Sequence, residues 1–168
     1  MGIVVGVEVL TYDVEGWGVG EIWLDGGRVV NHELPAPSHE GHAPKTHESD
    51  LVTHCYLPRM VDRIQAYFAG EPVSFADVPL DESWGTPFHA AVAAALRAIP
   101  WGETVTYGEL AALAGHPNAQ RAAGTFCARN RFPLFVPCHR VVSASGLGSY
   151  GSLGLDYKRR LLELEHAL

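Results

Sequence analysis

Long apolar runs are missing from this 168-residue chain. A helix that crosses a bilayer needs ~18 or more consecutive apolar residues, and no stretch here comes near that, so no membrane partner is expected. The opening Met1-Gly2-Ile3-Val4-Val5-Gly6 lacks the basic flank of a secretory leader, and Gly6 lacks the hydroxyl that an N-myristoylation signal carries there. Cysteine is scarce as well. Cys55, Cys127 and Cys138 are odd in number and irregular in spacing, which suits reduced thiols in a cytosol rather than a disulfide frame and leaves a reactive thiol open. Basic charge is scarce in one half only. Residues 1–84 carry 4 Lys+Arg against 14 Asp+Glu, a net −10, whereas residues 85–168 carry 8 against 5, a net +3. The formal total of −7 therefore hides seven basic residues between Arg121 and Arg160 that face the single acid Asp156. Such asymmetry points to a nucleic-acid face on the second half, although a solvated helix surface carries charges too.

What is present reads as two lobes, 1–80 and 85–168. Apolar or alternating runs at about 3–10, 18–24 and 28–34 predict three strands, the last two joined through Asp25-Gly26-Gly27 as a hairpin. Residues 35–57 read as a loop holding His39, His42, His47 and His54. Pro58, then Met60, Val61, Ile64, Tyr67 and Phe68 at helical spacing, with Gly70 beyond, predict a helix against the sheet. Pro72 to Trp84 reads as a linker. Thr86-Pro87 supplies an N-cap and an N1 proline for an Ala-rich helix that ends near Pro100. Thr106 and Glu109 have capping-box spacing before a short helix, and Gly115-His116-Pro117-Asn118 is a turn in which Asn118 can cap a second helix from Ala119 to about Arg129. Helix, tight turn and helix form a helix-turn-helix. Arg121 and Arg129 project charge from the second helix, while Ala122, Ala123 and Gly124 leave one side small, for close approach to another surface or for packing.

The strand-like run Phe132-Pro133-Leu134-Phe135-Val136 ends at Pro137-Cys138-His139-Arg140-Val141. A thiol near pKa 8.5 is only a few per cent ionised at neutral pH, so a nucleophilic Cys138 needs a base or a positive charge close by. His139 and Arg140 are the candidates. Adjacent strand residues point to opposite faces, which favours a water between Cys138 and His139 over a direct bond. The other reading of Cys138 is an inert core thiol.

Across Thr86 to Glu165 the sequence resembles the O6-alkylguanine-DNA alkyltransferases, also called methylated-DNA–protein-cysteine methyltransferases. The resemblance rests on Pro137-Cys138-His139-Arg140-Val141, on Ile99 to Ala111, and on Arg121-Ala122-Ala123-Gly124. It implies an α+β protein: a small N-terminal ribonuclease-H-like antiparallel sheet with a helix, then a helical lobe with the helix-turn-helix and the active-site cysteine. It implies direct-reversal DNA repair, with Cys138 accepting a methyl or alkyl group once from O6 of a flipped-out guanine, and O4 of alkylthymine as a second candidate substrate. By the same resemblance His139 deprotonates Cys138 through a water and Glu165 orients the imidazole. Tyr107 crowds the target phosphate and bonds guanine N3, and Asn130 ties the turn between recognition helix and active-site strand. Arg121 fills the space of the flipped base, Ala122, Ala123, Gly124 and Arg129 belong to the DNA face, and Pro133, Val141, Tyr150, Gly151 and Lys158 belong to the pocket. The helix lies in the minor groove. Thr125, Arg131 and Gly151-Ser152-Leu153-Gly154 depart from the family pattern and bear on groove fit and pocket width. The implied partner is double-stranded DNA containing O6-alkylguanine, bound by a monomer without cofactor in the cytoplasm, or on the nucleoid of a bacterial or archaeal host.

Gly146-Leu147-Gly148-Ser149-Tyr150-Gly151 fits G-x-G-x-x-G, but a dinucleotide site also needs a βαβ unit and an acid ~20 residues onward. The histidines around Cys55 fit no standard zinc spacing, so no metal is expected. Three rivals remain. Cys138 argues against a lesion-binding relative without transfer, since such proteins carry tryptophan in its place. A thiol hydrolase leaves the helix-turn-helix without a role. A helix-turn-helix regulator makes Cys138 an ordinary core residue.

Overall fold

The computed structural model describes residues 6–37 and 57–168. The loop with His39, His42, His47, His54 and Cys55 lies outside the described residues. The chain is α+β and divides into two compact units between Asp81 and Glu82.

In the first unit β1 (Glu8–Val14), β2 (Gly18–Asp25) and β3 (Arg28–Ala36) form an antiparallel sheet in that order. The first strand starts and ends later than the apolar run predicts. Its alternation buries Tyr12 and Val14, both beyond the end of the predicted run, and leaves Val9 exposed. Gly26 and Gly27 both take positive φ, +56° and +79°, the mirror-image turn that matches strand twist, and Asp25 pairs with Arg28 across it. Gly20 lies opposite Tyr12, and a side chain there would collide with the tyrosine ring. α1 (Leu57–Phe68) lays Met60, Ile64, Tyr67 and Phe68 into the core, and its Gln65 donates to Asp13 O at 3.0 Å. Burying each such side chain stabilises by roughly 1.5–3 kcal/mol. The expected linker is only partly a linker: Phe75, Val78 and Leu80 are buried, and Val29 N–H donates to Pro79 O at 2.9 Å while its carbonyl accepts from Asp81 N–H at 2.8 Å, which straps this segment beside β3.

In the second unit Thr86 caps α2 (Pro87–Arg97), accepting from His89 N–H at 3.1 Å. β4 (Val105–Thr106) runs parallel to β5 (Val141–Val142). Thr106 and Glu109 make both halves of a capping box at the start of α3 (Tyr107–Leu113). After a turn with Gly115 at φ +83°, α4 (Gln120–Ala128) follows. Asn118 does not cap it: its φ of +70° spends the residue on the turn, and Ala119 precedes the helix with no side-chain bond. α5 (Gly154–Leu164) turns Tyr157, Lys158, Leu161 and Leu162 inward. No helix among the described residues is long and apolar enough to cross a membrane.

Candidate active site

The segment after α4 is not the strand that its apolar residues suggest. Phe132 to Val136 curl into a turn closed by Val136 N–H donating to Phe132 O at 2.8 Å, and Leu134 sits at φ +76°. A left-handed leucine costs roughly 1–2 kcal/mol, so the turn must be held from outside. Burial of Phe132, Leu134, Phe135 and Val136 supplies part of that hold. Asn130 supplies the rest. Its amide donates to Val136 O at 2.8 Å and to Cys138 Sγ at 3.2 Å, and its carbonyl accepts from Phe132 N–H at 2.9 Å. All three polar contacts fix the loop that delivers the thiol.

Cys138, His139 and Arg140 form one turn of 3-10 helix, so the expectation of opposite faces on a strand does not apply. Burial pushes the Cys138 thiol up from its ordinary value, against the Asn130 bond and the charge of Lys158. The thiol therefore rests protonated and needs a base. His139 is fully buried, and its Nε2 lies 2.7 Å from Glu165 Oε1. Burial pulls its pKa below the ordinary value, with Glu165 opposing, so the imidazole rests neutral near pH 7. Burial alone would raise Glu165, but the hydrogen bond with His139 and then the hydrogen bonds and charge of Arg140 hold it well below the carboxylate range. Arg140, which sequence offered as a charge near the thiol, reaches Glu165 and Ile99 O instead. This partnership had no signal in the motif, because Glu165 lies on another element.

Around this centre Lys158 is fully buried, donating to Val141 O and, at 3.2 Å, to Ser149 O; its ammonium lies 5.9 Å from the centre of the Tyr107 ring. Burial, and next the Cys127 thiol, push the Tyr107 phenol up despite hydrogen bonding with Ser149, so it stays a proton donor. Gly148, at φ +83°, abuts this phenol: a Cβ there would lie 3.0 Å from the Tyr107 oxygen. Val141 is buried in β5, Tyr150 stacks on Tyr157 at 6.2 Å, Pro133 is half-buried in the turn, and Gly151 is exposed. Arg121 and Ala122 on α4 and Arg129 at its C-terminal cap are exposed, and a Cβ at Gly124 would meet the Tyr107 ring at 3.7 Å, ordinary contact distance. Ala123 is the exception to the expected small face, being fully buried, because its position on the helix turns inward to the core. Thr125 is exposed on the same helix and bonds back to Arg121 O at 3.0 Å.

A buried thiol with an amide donor, an adjoining histidine–carboxylate pair and a helix-turn-helix in one unit define a class of protein that holds a cysteine beside a potential base on a DNA-binding type of scaffold. Comparison with known proteins agrees with that class. A family profile described as 6-O-methylguanine DNA methyltransferase, DNA binding domain, matches residues 87–167. The methylated-DNA–protein-cysteine methyltransferase of Mycobacterium tuberculosis is 52% identical over 106 residues, which are 62% of this chain and 62% of that protein. The same-named protein of Methanopyrus kandleri is 50% identical over 107 residues, 62% of this chain and 77% of that protein. The match to the mycobacterial protein thus spans less than two thirds of its length. Among solved structures, Mycobacterium tuberculosis OGT in complex with DNA superposes with a TM-score of 0.72 at 38% identity, covering 94% of this chain and 92% of that one. The chain belongs to the O6-methylguanine-DNA methyltransferase family.

Proposed function

We propose that this protein repairs DNA by direct reversal, moving a methyl or alkyl group from O6 of guanine to Cys138 once per molecule. The observation that carries the reading is the buried thiol held by Asn130 next to the buried His139–Glu165 pair, in the unit that also bears the helix-turn-helix. Because Nε2 of His139 is engaged with Glu165, the thiol proton goes to Nδ1, relayed by water. The thiolate attacks the alkyl carbon, the carbon–O6 bond breaks, and its electron pair passes to the guanine. His139 then returns its proton through solvent, so the base leaves with hydrogen at N1 and the sulfur keeps the alkyl group. The step balances with no further reactant.

In this reading Tyr107 donates to guanine N3 as charge develops there, which is worth several kcal/mol in a dry site. Arg121 occupies the stack while the base is out, a state that costs a few kcal/mol and less for a mispaired lesion. Ala122 and Gly124 let α4 approach the minor groove, Arg129 meets phosphates, and Pro133, Val141, Tyr150, Gly151 and Lys158 border the base pocket. Residues 85–168 form the DNA-binding and transfer domain and 1–80 the sheet lobe. The protein acts as a monomer on double-stranded DNA in the cytoplasm, or on the nucleoid in a bacterial or archaeal host, and O4-alkylthymine is its second candidate substrate. Intact-protein mass after incubation with a duplex holding one O6-methylguanine tests this. The expected result is one methyl on Cys138 and none on Cys138→Ala, which still binds DNA; methylation of that variant, or no mass gain in the parent, refutes it.

A further inference from the structure

A carboxylate buried as deeply as that of Glu165, only 1% exposed, demands a cation. Two are within reach. One is His139, provided that it is protonated; the other is the Arg140 guanidinium. The geometry gives Arg140 the larger share. Its Nε donates to Oε2 and its Nη2 to Oε1, each at 2.9 Å, a two-point fork on the carboxylate. Its Nη1 donates to Ile99 O at 2.7 Å, which stops the guanidinium from swinging away. Gly102 N–H adds a bond to Oε2 at 3.3 Å, and Oε1 is then the oxygen turned to His139 Nε2 at 2.7 Å.

We propose that Arg140 is a positioning residue for the transfer reaction: it aims one oxygen of Glu165 at His139 and supplies the positive charge that otherwise only a protonated His139 could supply. The imidazole can then rest neutral with Nε2–H donated to Glu165, and Nδ1 stays open to the thiol proton. This rests on the alkyl-transfer reading above. The charged and titratable groups around His139 are Glu165 and Lys158 from the C-terminal segment, and Cys138 and Arg140 from its own turn. Burial and the two cations favour the neutral ring, and Glu165 favours the charged one. Removing the charge of Arg140 leaves the carboxylate one cheap way to regain a cation, which is to protonate the base and disable it. It also makes Glu165 itself easier to protonate. Both effects act in the same direction on the acid side.

The test uses Arg140→Gln and Arg140→Lys in the full chain, with two readouts: the pH dependence of transfer from free O6-benzylguanine, and the titration of the His139 ring by NMR. In Arg140→Gln the acid limb moves to higher pH, so that its rate near pH 6, relative to its own alkaline plateau, falls about tenfold below the parent's ratio. His139 titrates at correspondingly higher pH. Arg140→Lys keeps the charge and loses the fork, so its plateau drops while His139 titrates where it does in the parent. A uniform loss at all pH values in Arg140→Gln, with the parental His139 titration, makes Arg140 structural only and overturns the proposal. If Arg140→Gln does not fold, the lysine variant decides alone: a displaced His139 titration there overturns charge balancing. A parent that gains no methyl from the O6-methylguanine duplex would sink the transfer reading, while the NMR titration would still decide the role of Arg140.

Discussion

Asn130 joins loop geometry to thiol chemistry, and two substitutions separate these jobs. Asn130→Ala deletes the bonds to Val136 O, Cys138 Sγ and Phe132 N–H. A net ~0.5–1.5 kcal/mol per bond, with Leu134 left strained in the loosened turn, puts the loss at about 2–4 kcal/mol. For a chain of this size that is about 5–15 °C in Tm. The lost donor to a developing thiolate is a charge-assisted bond of ~1.5–3 kcal/mol, which translates to about 10–100-fold in transfer rate. Asn130→Asp keeps the acceptor for Phe132 N–H, so it costs less stability than alanine above the carboxylate's own titration. It replaces the donor 3.2 Å from sulfur with a negative charge, which pushes the thiol further up, so the rate falls by more than alanine's. Stopped reactions with free O6-benzylguanine and thermal scans on the same samples give both numbers. A transfer rate in Asn130→Asp equal to or above that of Asn130→Ala would refute the assignment of this amide to the thiolate.

Three further outcomes follow from the same geometry. Arg121→Ala slows repair of duplex DNA at least tenfold while transfer from free O6-benzylguanine changes little, since only the duplex needs its stack held open; equal losses would move Arg121 to folding or chemistry. Folded His139 and Glu165 both bind protons less readily than their unfolded counterparts. Stability therefore falls as pH drops below ~6.5, and again below ~4.3, while the raised Cys138 thiol makes it fall above ~8.5. Denaturant midpoints across that range check the dome, and Glu165→Gln removes the step below ~4.3 while the fall below ~6.5 persists, because the lost carboxylate is what favoured the charged ring; an unchanged step below ~4.3 in that variant contradicts the linkage. Protein methylated on Cys138 melts several degrees below the free form, because a thioether accepts poorly from Asn130 and the added methyl overpacks a site 7% exposed, at ~1–3 kcal/mol. Matched thermal scans with alkylation confirmed by mass decide it, and an equal or higher midpoint shows that the pocket takes its product without strain.

The elements that sequence made legible are those whose signals are local. Thr86-Pro87, the Thr106–Glu109 box and the Gly26-Gly27 turn each bond within a few residues, so composition at fixed offsets suffices to place them. Misplaced elements were set by distant partners. β1 follows the inward faces of Tyr12 and Val14, which depend on pairing with β2, and the segment through Leu80 is held by Val29 of β3. Phe132 to Val136 have strand composition, but Asn130 reaches across them and bends the backbone into a turn that places Leu134 at positive φ. Propensity lost there to one side chain's three hydrogen bonds.

The candidate site divides in the same manner. Cys138 and His139 were legible as a pair because they are neighbours in sequence, yet that adjacency misdirected the geometry, since it suggested opposite strand faces where the chain forms a 3-10 turn. Glu165 was placed by family resemblance alone: 26 residues separate it from His139, and nothing in its local sequence marks a buried acid. What burial adds is an obligation. A surface glutamate at the end of a helix needs no partner, whereas one sealed at 1% exposure must be bonded on both oxygens, and the fork from Arg140 together with Nε2 of His139 meets that demand. The residue that looked like a neighbour of the thiol thereby becomes a neighbour of the acid. The charge of Arg140 reaches Cys138 only through the carboxylate and the imidazole, so the order of the residues in the motif does not give the order of the relay.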